Sequence, residues 1–505
     1  STVKRAGATL ATLQYDSAGR VTNAVGPDGL AVAATYDNLD RLTALSLLGE
    51  SPYQWTYTAN SLLLTNQVDR SGRRTQFAYD ALNRLVAVRG PDLGLVKFDY
   101  DSDKNLTALF DPEAHKTRFA YDSRNRPVTK TYPGGASNQL SYTTRSLVNT
   151  FASPRGITTT YAYDSAGLLT NVAYAGTTNT APLRFAYDAR NRLTNSADGW
   201  STNTFAYDTL GRLTQYKEAQ GVFTQTFDYA YDAGGRVTGT VWTAGTNAAI
   251  ATTYRYDSLN RITNIVSDAG AFAYAYASNG LALKKLTYPG GETANYAFDG
   301  LLRLTNLAYA SSGGSTNAQW SYGYDHRDQV TSRVDTATNS YAYRYDEAGR
   351  LVEATGVKGT NVTAGYPFRY AYDHAGNRTR QTEAGQTRSL TYNSNNQLLS
   401  AGRSNEVTVA GYVNEAGTST VVEARGLATG AWQKVATRFI SYTQGWFEAT
   451  VAVTNAAGTN TVWVRATDKS GNASTQTIHV ANSSTNLPYA WDLDGNLTNG
   501  PAGRM

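Results

Sequence analysis

The side chains that usually carry chemistry are either scarce in this sequence or repeated too often to form one site. Four histidines, His115, His326, His374 and His479, stand far apart, and none has H-E-x-x-H or other metal-ligand spacing. His326 and His374 fall in the same slot of a recurring phrase, two residues after its tyrosine, and are read as surface-loop residues. No serine sits in a Gly-x-Ser-x-Gly elbow. The aspartates recur one repeat apart, a spacing that suits loops rather than two carboxylates tuned as acid and base. "DLDG" at 492–495 resembles the start of a calcium loop, but the further acidic ligands and the distal Glu are missing. Cysteine is absent, which removes thiolate nucleophiles, thiolate metal sites and disulfides. The sequence is therefore read as non-catalytic, with no metal and no cofactor.

What the chain repeats is a phrase: "FAYDALNRLVA" at 77–87, "FAYDARNRLTN" at 185–195, "FAYDTLGRLTQ" at 205–215. Its tyrosine falls at 15, 36, 79, 100, 121, 163, 187, 207, 231, 256, 324, 345 and 372, each followed by Asp. Weaker copies fit at Tyr57, Tyr142, Tyr276, Phe298, Tyr392 and Trp491. The period is about 21 residues, which marks a repeat architecture. Best defined are Tyr15-Asp16 with Gly19-Arg20, Tyr79-Asp80 with Asn83-Arg84 and Tyr187-Asp188 with Asn191-Arg192. Tyr207-Asp208 with Gly211-Arg212 and Tyr345-Asp346 with Gly349-Arg350 match them. These quartets are the candidate site residues, and their expected role is structural.

The elements around each quartet follow from pattern. Before it, aromatics alternate, as in Phe77 and Tyr79 or Phe119 and Tyr121, which predicts a strand lined with rings on one face. After it come Leu, Val or Ile, often with Thr, which suit a second strand. Four residues after the tyrosine stands Gly, Asn or Asp, the types that best tolerate positive φ. The Asp is expected to accept loop N–H groups and to pair with the Arg. Each repeat is thus a β-hairpin, with turns such as "YPGG" at 132–135 and 288–291 linking it to the next. About 38 strands spaced by about 4.8 Å would make a ribbon of about 180 Å, which must curl. Rolled once, it would be about 60 Å across; one or two spiral turns would enclose space without sealing it.

The 505 residues include 36 Tyr against 14 Phe and 8 Trp, and only 17% are charged. Tyrosine packs through its ring while its hydroxyl meets water, so thin walls are expected rather than a thick dry core. A net charge of +5 without any basic block excludes a nucleic-acid footprint. No apolar run is long enough to insert into a membrane. The first residue is Ser1 and the one methionine is Met505, so the chain is read as part of something longer.

"YDSAGRVTN" at 15–23, "YDTLGRLTQ" at 207–215 and "YDEAGRLVE" at 345–353 resemble the YD-repeat, or Rhs-repeat, family of Rhs polymorphic toxins, toxin-complex cocoon subunits and teneurins. The resemblance covers about residues 10–400 and resumes at "YAWDLDGNLTN", 489–499. It implies a hairpin ribbon spiralling into a hollow shell, which in the toxins holds a C-terminal effector. Toxin shells end in an Asp-Pro-x-Gly motif of an aspartyl autoprotease. The nearest stretch here, "FDPEAHK" at 110–116, lacks the Gly and fits a link between hairpins. Enclosure is thus implied for a larger parent.

Between Tyr392 and Trp491 the phrase vanishes. "EVTVAGYV", "STVVEARG", "WFEATVAV" and "NTVWVRATD" alternate apolar and polar residues, which predicts an inserted immunoglobulin-like β-sandwich at 403–484. The expected organisation is all-β: a YD-repeat spiral of antiparallel hairpins over 1–402, the insert, and a resumed repeat at 485–505. Two functions fit. One is a structural wall of a secreted or cell-surface bacterial shell that shields cargo such as a toxin. The other is an extracellular scaffold binding glycans or surface proteins through the insert or the tyrosine-rich face. Partners are other segments of the parent, cargo, glycans or cell-surface proteins, with room for self-assembly.

Overall fold

The computed structural model describes residues 1–5, 8–26, 29–176, 180–277, 280, 282–337, 339–357, 368–383 and 386–413. Beyond these it describes 421–425, 432–435, 437–441, 444–452, 458–467, 473–482, 487–488, 490–491 and 497–499. The described residues form strands and turns and contain no helix, so none is long and apolar enough to cross a membrane. Thirty-seven consecutive strands, from Thr2–Arg5 to Leu398–Val413, each pair antiparallel with the next. The predicted hairpin ribbon is therefore the observed sheet.

Alternation sets the two faces. In the strand Arg74–Tyr79, Thr75, Phe77 and Tyr79 are half-buried while Arg74, Gln76 and Ala78 are exposed. Few side chains are fully buried, and those in the ribbon are mostly small, among them Ala108, Ala244 and Ala294. Rings fill the half-buried face. Phe205, Tyr216, Phe227 and Trp242 oppose one another on four successive strands, with centroids 5.5, 6.0 and 6.2 Å apart. Such pairs add about 0.5–1.5 kcal/mol each beyond area burial, which lets a single layer hold without a second sheet behind it.

One kind of turn recurs on both edges of the ribbon. At Tyr15–Val21 the Asp16 N–H donates to the Arg20 C=O (3.0 Å) and the Gly19 N–H to the Asp16 C=O (3.0 Å). A bulge between Gln14 and Tyr15 follows from the left-handed residue Gly19, φ 80°. The linking turn at 132–136 repeats the pattern: the Tyr132 N–H donates to the Ala136 C=O (2.8 Å) and Gly135 has φ 88°. "FDPEAHK" is such a link, with Ala114 left-handed at φ 63°.

The ribbon spirals. The linking turn 69–73, between the seventh and eighth strands, meets the YD turn 325–329, between the thirtieth and thirty-first. Turns 90–94, 111–115 and 132–136 meet 346–350, 373–377 and 393–397 with the same offset of twenty-three strands. One turn of wall is thus about 110 Å around and about 35 Å across. This is tighter than the single roll of about 60 Å, and the thirty-seven strands make more than one turn.

The strand Leu398–Val413 stays paired with Gln386–Tyr392 as far as Val407; from Glu406 to Val413 it pairs with Gln444–Ala452, which pairs with Thr437–Ser441. Gln433–Val435, Val421–Arg425, Gly458–Thr467 and Ala473–Asn482 form a separate four-stranded sheet. Leu487–Pro488 then returns beside Ala401 and Ser400, and Ala490–Trp491 pairs with Leu497–Asn499. "DLDG" and the side chain of His479 lie outside the described residues.

Candidate functional site: the Tyr-Asp-Arg clasp and the seam between turns

The YD quartets build a clasp that spans two repeats. In the phrase at 77–87, the Asp80 carboxylate accepts the N–H groups of Leu82 (2.9 Å) and Arg84 (2.9 Å) through one oxygen. Its other oxygen accepts the Arg84 Nε–H (2.7 Å). Arg84 then reaches forward. Its Nη1 donates to the Asp101 C=O of the next loop (2.8 Å), and its guanidinium lies 5.0 Å over the Tyr100 ring. The Tyr100 hydroxyl donates back to the Leu85 C=O (2.8 Å).

The other quartets repeat this arrangement. Asp16, Asp188, Asp208 and Asp346 each accept the Nε–H of Arg20, Arg192, Arg212 and Arg350 at 2.7 Å. Those arginines cover Tyr36, Tyr207, Tyr231 and Tyr372 at 4.6–5.0 Å. The Tyr79, Tyr187, Tyr207 and Tyr345 hydroxyls donate to the carbonyls of Leu64, Leu169, Leu193 and Val330. Tyr15 lacks a preceding clasp, and its hydroxyl lies 3.1 Å from Ser1 Oγ. Gly19, Asn83, Asn191, Gly211 and Gly349 all have φ between 61° and 86°.

The rows of YD tyrosine are therefore interleaved with guanidinium groups, and ring-on-ring stacking belongs to other positions. The sequence gives the Asp–Arg pair within a loop, but the Arg's forward reach is set by strand spacing and has no signal in a single phrase. The electrostatics follow the bonds. Asp16, Asp80 and Asp208 are held below the usual carboxylate range chiefly by the backbone N–H of Arg20, Arg84 and Arg212. The side chain of Arg192 does the same for Asp188. Asp122 is pulled down to about 2, first by the Arg126 side chain.

The second feature is the seam where successive turns of wall meet. Arg70, 3% exposed, donates through Nη2 to Asp328 and lies 5.6 Å over the Tyr53 ring. Asp328 also accepts from Arg303 Nη1 (3.1 Å). Arg73 Nη1 donates to the Glu347 C=O, and Arg350 Nη2 lies 3.2 Å from Asp92. His326 Nδ1 lies 2.8 Å from Glu50, the His374 N–H donates to Glu113 (2.9 Å), and Asn396 Nδ2 to Asp111 (3.0 Å). His326 and His374 are thus more than surface-loop residues: each bridges two turns of wall. Their partners lie more than 250 residues away, so no local pattern points to them.

This arrangement can hold a wall; among the described residues no group of His, Cys, Asp and Glu is arranged to hold a metal. The family model described as Teneurin YD-shell matches residues 2–179 and 158–251, and that described as RHS Repeat matches 324–360. The chain is similar to the crystal structure of TcdB2-TccC3, with 11% identity and a TM-score of 0.58 over 97% of this chain and 33% of that one. It is similar also to the crystal structure of TcdB2-TccC3-TEV, with 11% identity and a TM-score of 0.58 over 97% and 32%. A third similar structure is a Photorhabdus luminescens Tc holotoxin pore, with 11% identity and a TM-score of 0.57 over 97% and 32%. At that identity the likeness shows the fold alone, and the chain spans about a third of those chains. No curated protein matches it in sequence. With hairpins, clasps and family models in register, the chain belongs to the YD-repeat, or Rhs-repeat, family.

Proposed function

We propose that this segment is a non-catalytic wall of a hollow YD shell, in a secreted or cell-surface bacterial protein whose shell encloses cargo such as a toxin. The observation that carries this reading is the seam. An open ribbon used as a stalk has no need to bond its own edge twenty-three strands later, whereas a container does. The YD quartets serve as the fasteners within each turn and bind no substrate. The reading is tested by cryo-electron microscopy of the full-length parent. A spiral with density inside supports enclosure, and a spiral whose lumen is empty in every class defeats it.

Residues 403–484 are an inserted immunoglobulin-like domain in this reading. Support comes from the strand Leu398–Val413, which carries the chain from the ribbon into pairing with Gln444–Ala452, and from the return of the chain at Leu487 beside Ala401 of that same strand. Deleting 403–484 should leave the thermal transition of the ribbon unchanged, and loss of the ribbon's fold would count against the boundaries.

A further inference from the structure

The two faces of the ribbon differ in charge. At the loops, each YD arginine is neutralised by its own aspartate. The strands carry few acids: from Leu64–Val68 to Thr202–Tyr207 they hold seven cations and one carboxylate, Asp99. Five of those cations, Arg74, Arg89, Lys97, Lys116 and Arg118, share the face opposite the rings within five successive strands. Register sets them side by side. Gln76 opposes Arg89; Ala87, Lys97, Phe110 and Lys116 form one row, and Asp99, Ala108 and Arg118 the next. Among the described residues Arg74, Lys97 and Arg118 make no ion pair, and Lys116 Nζ stands 3.9 Å from Asp99.

Two open grooves lie between these cations. One, of about 480 Å³, is walled by Asn66, Gln76, Arg89 and Leu95 over Ala78 and Ala87. The other, of about 410 Å³, is walled by Asp99, Lys116 and Arg118 over Ala108 and Ala120. They meet at the strand Leu95–Tyr100 and together cross seven strands, about 29 Å. The linking turns of these strands, 69–73, 90–94 and 111–115, are already seated edge to edge on the next turn of wall. That contact covers the edge and leaves the face open.

The make-up of this trough narrows its occupant. Its one ring, Phe110, is capped by Lys116 at 4.8 Å, whereas single-stranded nucleic acid is held by bases stacking on free rings. Its floor is alanine, which gives a folded partner little to bury. It offers cations that bind carboxylates, two N–H bonds at once in the case of arginine, above a floor low enough for a main chain. About nine extended residues span 29 Å, and carboxylates at alternate positions recur about every 7 Å. We propose that the trough is a docking site for an acidic, extended polypeptide. Its carboxylates pair with Arg89, Lys97, Lys116 and Arg118, and its main chain lies over Ala87, Ala108 and Ala120. The proposal goes beyond the enclosing role above and holds whichever side of the wall this face lines.

The test is fluorescence anisotropy with the 505-residue chain and a labelled ten-residue peptide alternating Glu and Ser. Binding is expected, weakening about tenfold between about 20 and 150 mM NaCl, while a Gln/Ser peptide does not bind. K97E/K116E and R89E/R118E should each weaken it at least about tenfold, since each reverses two of the four pairs. R255E/K285E makes the same change in net charge at two exposed strand positions outside the trough, and should leave binding within about twofold. Circular dichroism matching the unaltered chain shows that a variant's loss is not misfolding. Absence of binding at low salt would overturn the proposal, and so would equal weakening by R255E/K285E, which would mean attraction by net charge alone. Tighter binding of a heparin-derived decasaccharide or of ten-residue oligo-dT through the same four cations would overturn it as well, by assigning the trough to another polyanion.

Discussion

Arg84 satisfies three partners at once: a carboxylate in its own loop, a carbonyl in the next, and the Tyr100 ring. Planarity makes this combination possible, since a guanidinium can bond in its plane while its face lies on a ring. Replacing Arg84 by Lys keeps the charge but loses the stacked plane and one of the bonds, and should cost about 1 kcal/mol of local stability. Tyr100→Phe, which removes only the hydroxyl bond to Leu85, should cost about the same. A double-mutant cycle separates the two: the R84A and Y100A effects should fall short of additivity by about 0.5–1 kcal/mol. Full additivity would mean that the two side chains are merely near each other. Acid reads the same clasp through Asp122. Its folded value of about 2 lies below that of an unfolded Asp. A depressed carboxylate stabilises the fold above the unfolded value, near pH 4, and that stabilisation is lost as pH falls toward 2. The chain's melting temperature should therefore drop between pH 4 and pH 2, and D122N should drop less across that window. An identical pH profile in D122N would show that the clasp contributes nothing.

At the scale of the hairpin, the left-handed residue is the weak point of the design. The turn needs positive φ at the fourth residue after the tyrosine, whatever the sequence supplies there. Gly, Asn and Asp occupy most of these slots, but Lys104, Ser146 and Leu302 hold φ of 70°, 64° and 61°. The hairpin geometry overrides local preference, because the neighbouring strands fix the turn's length. Such residues carry about 1–2 kcal/mol of steric cost. Lys104→Gly should relieve it, less the entropy gained by the unfolded chain, for a net gain of about 0.5–1 kcal/mol. Chemical denaturation, together with hydrogen exchange at loop 101–105, measures the gain, and slower exchange at that loop is the expected sign. Faster exchange would mean that the lysine side chain stabilises the loop by a contact that outweighs its strain. This slot also explains why the hairpins were legible in the sequence: the Gly/Asn/Asp position and the alternation of rings are both local, so each copy announces itself.

The whole molecule was legible only in part, because its curvature is not a local property. The 21-residue phrase gives strands and turns, and the count of strands gives a length of ribbon. Neither gives the circumference, which depends on how far each pair of strands rotates from the last. The seam residues follow from that circumference. Arg70 lies outside every YD phrase, in a linking turn, and its partner Asp328 is 258 residues along the chain. Both would pass for surface loop residues if the offset were twenty-one or twenty-five strands. With the observed offset, Arg70 is buried and the Asp328 carboxylate closes an ion-pair chain from Arg70 to Arg303. A fully buried pair broken on one side costs about 3–5 kcal/mol, but Asp328 is 46% exposed, so water screens it and about 1–2 kcal/mol is expected. The cost should fall on the seam and leave the hairpins intact. R70M should therefore speed hydrogen exchange at loops 69–73 and 325–329, while strand Arg74–Tyr79 keeps its protection. In small-angle scattering its radius of gyration should rise as the two turns part. If exchange rises along the hairpins as well, Arg70 supports the sheet itself and the wall is not fastened turn to turn by this pair.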